Sequence, residues 1–256
     1  MSSEIQVVNQ KPSTEFSSQP HNQLFRVGGA AGLLCALMYF ITLAVYVPAT
    51  RAAPAPETPL EWFSLFQQSP ITGLFFLGLA DIVILILWGP MCLAFYEALK
   101  DKNKAWAQIA VVFVFVGIAV FLATNTAFSM LYLSKEYTSA STGPEQSLIL
   151  AAGESMLAAS MGTGGRYTGM PLAWLSGLIF SILMLRSEHF SKAAGWTGIP
   201  GLGLLMLSIP FAHYTTGGDT SSFQTLMISV TYIGGGLLSL AWYILAGLSL
   251  IKLARP

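Results

Sequence analysis

Six runs of this chain, near residues 27–47, 71–98, 105–133, 168–185, 194–214 and 226–251, are apolar over about the length needed to cross a membrane. A hydrocarbon core about 30 Å thick takes roughly 20 residues of helix, and a structure that crosses it must pair every backbone group internally. These runs point to an all-α fold, a polytopic membrane bundle of six transmembrane helices. Composition agrees. Charged residues are 9% of the chain against 54% hydrophobic, far from the roughly 25% charged residues of a soluble domain. The first run exceeds the roughly 7–15 residues of a signal-peptide core and follows a polar stretch, so it reads as an uncleaved helix. Residues 1–24, polar and aperiodic, are expected to be a disordered cytoplasmic tail, leaving 25–256 as the transmembrane domain.

Orientation follows from Lys and Arg, which cytoplasmic segments keep in excess. One alternating set of segments holds Lys11, Arg26, Lys100, Lys102, Lys104, Arg186, Lys192, Lys252 and Arg255; the other holds Arg51, Lys135 and Arg166. Both termini are therefore expected on the cytoplasmic side of a plasma membrane. In the first outer loop, Leu60–Gln68 reads as an interfacial helix with Trp62 and Phe63 resting on the membrane. In the third, "PEQSLILAAGESMLAAS" places Pro144 and Glu145 in a plausible first turn, which predicts a short outer helix between the third and fourth spans. A flexible "GTGG" from Gly162 to Gly165 follows it.

The segments "LILAAGESMLAASMGTGG" and "LMLRSEHFSKAAGWTGIPG" resemble a bacterial membrane-protein family, domain of unknown function 4386 (DUF4386), over about residues 25–215. The resemblance implies a polytopic protein of the bacterial inner membrane. It brings no assigned activity and no catalytic residue.

One carboxyl group stands out. Asp81 lies about ten residues into the second run, about 15 Å deep at 1.5 Å per residue, close to the midplane. A carboxylate there costs several kcal/mol unless it is hydrated, paired or protonated, so it is expected to face the bundle interior. Thr42, Thr124 and Asn125 fall within about one or two helical turns of its height. With Asp81 they form a candidate ligand- or proton-binding cluster, with Tyr39 and Tyr232 as possible lining. The same groups also suit interhelical hydrogen bonding, at about 1 kcal/mol per bond. Glu154 and Arg166 flank the outer helix and its glycine linker, either as a lid over the cluster or as separately solvated charges.

Other features concern packing. Pro90, Pro200 and Pro210 are expected to kink their helices, while Gly28, Gly32 and the Gly234–Gly236 patch allow close helix approach. Cys35 and Cys92 lack metal-ligand spacing, and His21, His189 and His213 are dispersed, so neither metal nor cofactor is expected. HExxH, GxSxG and P-loop motifs are absent, which disfavours a serine or metallo-hydrolase. A formal net charge of zero gives no basis for nucleic-acid binding. Three functions stay open: binding or transport of a proton, cation or small amphipathic molecule; a structural or sensory role; and a membrane enzyme acting on a lipid-like substrate. Membrane lipids, with a small ligand or ion, are the partners these imply.

Overall fold

The computed structural model describes residues 19–52, 56–162, 165, 167–214, 226–227 and 229–255, and the regular structure among them is helical. In chain order the helices are α1 (Gln19–Ala52), α2 (Pro59–Gln68), α3 (Pro70–Phe76), α4 (Leu79–Leu99), α5 (Lys104–Thr124) and α6 (Ala127–Ser139). Then come α7 (Gly143–Gly162), α8 (Gly169–Leu185), α9 (Lys192–Tyr214), a π-turn (Val230–Gly234) and α10 (Gly235–Leu253). Because α1 begins at Gln19, residues 19–24 are helical and not part of the expected tail.

Among the described residues, four segments are long and apolar enough to cross a membrane: His21–Ala44, Leu79–Leu99, Lys104–Ser139 and Val230–Leu253. Six were expected. The apolar run of α8 stops after 17 residues, about 26 Å of helix, and α9 mixes glycine, proline, threonine and histidine among its apolar residues. α4 runs through Pro90, and α9 runs through Pro200 and Pro210. The breaks fall elsewhere. Gly78, the one residue with positive φ among those described, sits at +100° and separates α3 from α4, a conformation glycine adopts without a Cβ penalty. Extended backbone at Asn125 separates α5 from α6.

Neighbouring helices form a closed ring: α1 on α4, α4 on α5, α5 on α8, α8 on α9, α9 on α10, and α10 back on α1. Lipid tails are as apolar as the side chains, so burial of leucine alone does not bring such helices together; close packing does. Three helix pairs meet backbone to backbone at glycines. A Cβ on Gly117 would lie 2.6 Å from the Gly169 carbonyl oxygen, and one on Gly169 would lie 2.6 Å from that of Gly117. Gly29 and Gly247 make the same reciprocal contact at 2.8 and 3.0 Å, joining α1 to α10. A Cβ on Gly235 would lie 3.0 Å from the Gly201 carbonyl oxygen. The close approach expected at Gly28 and Gly32 is present, against Ala94 and Gly247 respectively. Inside the ring a run of aromatic contacts passes from Tyr39 to Tyr243, Trp242, Phe95 and Phe180, with centroids 5.2–6.2 Å apart.

A second, smaller core joins α2, α3, α6 and α7 into a cap. Here the expectation for α2 is corrected. Trp62 and Phe63 are 3% and 0% exposed, buried with Phe66, Met130 and Leu157 and not laid on a membrane surface. Their helix faces other protein because α6 continues past α5 and α7 packs back on it. The Ser134 hydroxyl donates to the Phe63 carbonyl at 3.0 Å, tying α6 to α2, and Gly153 lets α7 approach Pro59 and Phe63.

The start of α2 is a capping box, in which Thr58 accepts from the Glu61 amide while the Glu61 carboxylate accepts from the Thr58 amide. The same carboxylate accepts the Glu57 amide at 2.8 Å. That bond first, then the one from Thr58, holds the Glu61 carboxyl below its ordinary 4.5. A lowered folded-state value contributes stability that is present above the ordinary value and lost as pH falls through the folded one. Amide exchange at Glu57–Phe63, corrected for intrinsic rates, is therefore expected to rise on acidification below 4.5. Glu61→Gln should remove that pH dependence.

Candidate functional site

Asp81, Ile84, Leu85 and Trp88 recur at i, i+3, i+4 and i+7, so they share one face of α4. That face lines a cavity of about 260 Å³ inside the ring. Tyr167 and Trp174, at the start of α8, line a second side, and Leu205, Ser208 and Ile209 of α9 a third. Tyr39 of α1, Tyr232 of the π-turn and Tyr243 of α10 complete it.

Local structure explains how these groups are placed. The break at Gly78 restarts the helix three residues before Asp81, so the half-buried carboxyl group lies in the first turn of α4. Unpaired N–H groups there favour an anionic side chain. The π-turn shifts the register of the last helix where it delivers Tyr232, an irregularity common at functional sites. Deeper in the cavity the Trp88 indole Nε1–H donates to the Tyr243 hydroxyl at 2.6 Å, a buried bond between α4 and α10. Ser208 donates to the Leu205 carbonyl at 2.7 Å, so its hydroxyl proton is already committed within α9.

The remaining predicted residues are placed apart from this cavity. The Thr42 hydroxyl donates to the Met38 carbonyl of its own helix at 2.9 Å. Thr124 and Asn125 border a separate pocket of about 20 Å³ with Leu77, Phe121, Ser160 and Gly165. Both have structural partners there. The Asn125 Nδ2 donates to the Leu77 carbonyl at 3.1 Å, closing the end of α3, while its Oδ1 accepts the Ala127 amide at 3.0 Å, opening α6. One side chain thus stitches both helix breaks together. The Thr124 hydroxyl donates to the Val120 carbonyl at 2.8 Å and accepts the Gly165 amide at 2.6 Å. Gly78 lies between the two pockets: a Cβ there would be 3.3 Å from Asn125 Nδ2 and 3.4 Å from Asp81 Oδ2. Glu154 is exposed on α7. Arg166, its expected partner in a lid, and Thr163 and Gly164 of the glycine linker lie outside the described residues.

Sequence reasoning identified Asp81, Tyr39 and Tyr232 but missed Trp88, Tyr167, Trp174 and Tyr243. The signal for Trp88 was present, since it lies seven residues from Asp81 on the same helical face, and Tyr167 and Trp174 repeat that spacing at the start of α8.

A helical ring with four membrane-length apolar segments defines an α-helical integral membrane protein. The chain belongs to the family described as domain of unknown function (DUF4386), whose model matches residues 29–247. The match runs from α1 into α10, beyond the stretch ending near residue 215 that carried the resemblance. No curated protein and no solved structure matches the chain.

Proposed function

We propose that this is a six-helix protein of the cytoplasmic membrane, with both termini cytoplasmic, that binds a small amphipathic molecule in the cavity lined by Asp81. In this reading α1, α4, α5, α8, α9 and α10 are the spans, and the cap formed by α2, α3, α6 and α7 stands on the outer side. The closed helix order and the nine-to-three distribution of Lys and Arg support it. One observation carries the binding role. The ionisable side chain inside an apolar helix lines a cavity whose wall combines aromatic faces with a few polar groups, the composition expected of a small-molecule site. At about 260 Å³ it is slightly smaller than typical drug-sized sites of roughly 300–1,000 Å³, which favours a compact ligand over a whole lipid.

The test uses the full chain in lipid nanodiscs and a small neutral nitroxide, 4-hydroxy-TEMPO. A saturable immobilised component in its electron paramagnetic resonance spectrum is expected, above the linear signal from partition into lipid. Ile209→Trp, which fills the cavity from its half-buried rim, is expected to weaken that component at least about tenfold, or about 1.4 kcal/mol. Equal saturable binding by the filled variant would remove the cavity from the function.

A further inference from the structure

We infer that the occupant of this cavity is a small organic cation, a protonated or quaternary amine on a compact apolar body. This rests on the binding reading above and names its ligand class.

Six aromatic side chains line the cavity: Tyr39, Trp88, Tyr167, Trp174, Tyr232 and Tyr243. Against them stands one carboxyl group, Asp81, and no Lys, Arg or His among the described lining residues. An aromatic face attracts a cation through the ring quadrupole, with tryptophan the strongest partner, and the attraction grows as water is excluded. A carboxylate supplies the countercharge. The two together offset the desolvation of a cation in apolar surroundings, which neither a phenol nor an aliphatic wall does alone. The inference does not need Asp81 to lack partners within the protein. Its two oxygens offer about four acceptor positions, so a bond already made leaves room for an ammonium N–H or for a charge held at contact.

Other ligand classes fit less well. An anion would face Asp81 with no basic side chain among the described lining residues. A neutral hydrocarbon would leave the carboxyl group without a charged or donating partner from the ligand. A bare divalent metal needs several oxygen or nitrogen ligands, and no group of three His, Cys, Asp or Glu is arranged for one among the described residues.

The geometry also separates two contributions. Tyr39 and Tyr243 lie 6.2 Å apart between ring centroids and are tilted by 44°, and Trp88 meets Tyr243 edge-on at 6.0 Å. These rings form a connected wall. Removing one ring takes away its face while Asp81 keeps its charge, and Asp81→Asn takes away the charge while the six rings remain; Tyr39 is within electrostatic reach of Asp81.

Two nitroxides of nearly equal size decide the matter in nanodiscs: 4-amino-TEMPO, cationic near neutral pH, and 4-hydroxy-TEMPO, neutral. The amine is expected to bind at least tenfold more tightly than the alcohol. Asp81→Asn should bring the two affinities together, with an unfolding transition like that of the natural protein showing that the variant is folded. Tyr39→Leu should weaken the amine several-fold more than the alcohol. Equal affinity of both probes for the natural protein overturns the cation assignment and leaves the cavity reading in place. Preference for the amine that survives Asp81→Asn also overturns it, because the selectivity would then arise elsewhere. Absence of saturable binding by both probes overturns the cavity reading and the assignment with it.

Discussion

Gly117→Leu is expected to abolish the monodisperse protein in detergent, or to lower its unfolding free energy by about 3 kcal/mol, the upper part of the usual range for overpacking. The reason lies in what the added Cβ would meet. It would come 2.6 Å from the Gly169 carbonyl oxygen and 3.1 Å from the Ala173 amide nitrogen, both backbone atoms. No rotamer change relieves a clash with backbone; α5 and α8 must separate, and the packing along their contact is lost. Gly203 provides the control, because a Cβ there has nothing within 4 Å. Gly203→Leu should stay within about 0.5 kcal/mol of the natural protein, as surface substitutions usually do. Equal behaviour of the two variants in a detergent-unfolding assay would mean that the glycine contact does not hold the ring.

Trp242→Ala is expected to cost about 3–5 kcal/mol, the range for truncating a large aromatic residue in a packed interior. Trp242 is 0% exposed and contacts Trp88, Phe95 and Tyr243 at centroid distances of 5.7, 5.7 and 5.2 Å. Its truncation opens a void beside the Trp88–Tyr243 bond, so probe binding in the Asp81 cavity should weaken along with stability. Trp242→Phe distinguishes packing from polarity. The indole Nε1–H has no hydrogen-bond partner among the described residues, so replacing it by an apolar ring forfeits no bond and should cost less than about 1.5 kcal/mol. A Phe variant as unstable as the Ala variant would show that the full indole volume is needed to fill the site.

Both predictions concern features that the sequence discloses unevenly. Apolar run length shows where helices form, because lipid leaves the backbone no alternative, and "PEQSLILAAGES" led to α7 because Pro144 and Glu145 suit a first turn. Depth was less readable: counting put Asp81 about ten residues into its run, whereas the break at Gly78 leaves it in the first turn of α4. Direction around each helix was not readable, since it depends on which helices are neighbours. Thr42 therefore bonds within α1, Asn125 joins the two breaks, and Asp81 alone of the candidate cluster lines the larger cavity. The break itself was hidden because the prolines draw attention as kink sites, whereas α4 begins only after Gly78. Trp62 and Phe63 looked like interfacial anchors because nothing local in the sequence shows that α6 and α7 come back to cover them.

The seam at Gly29 and Gly247 has a consequence for biosynthesis. The two glycines are separated by nearly the whole matched domain, so α1 must wait until nearly all of that domain has been made before its final neighbour emerges. A chain released before Val230 would be an open trough, missing Tyr232 and Tyr243 and exposing the glycine face of α1 to lipid. Such a fragment leaves the packing faces of α1 and α9 without the neighbour that completes the ring.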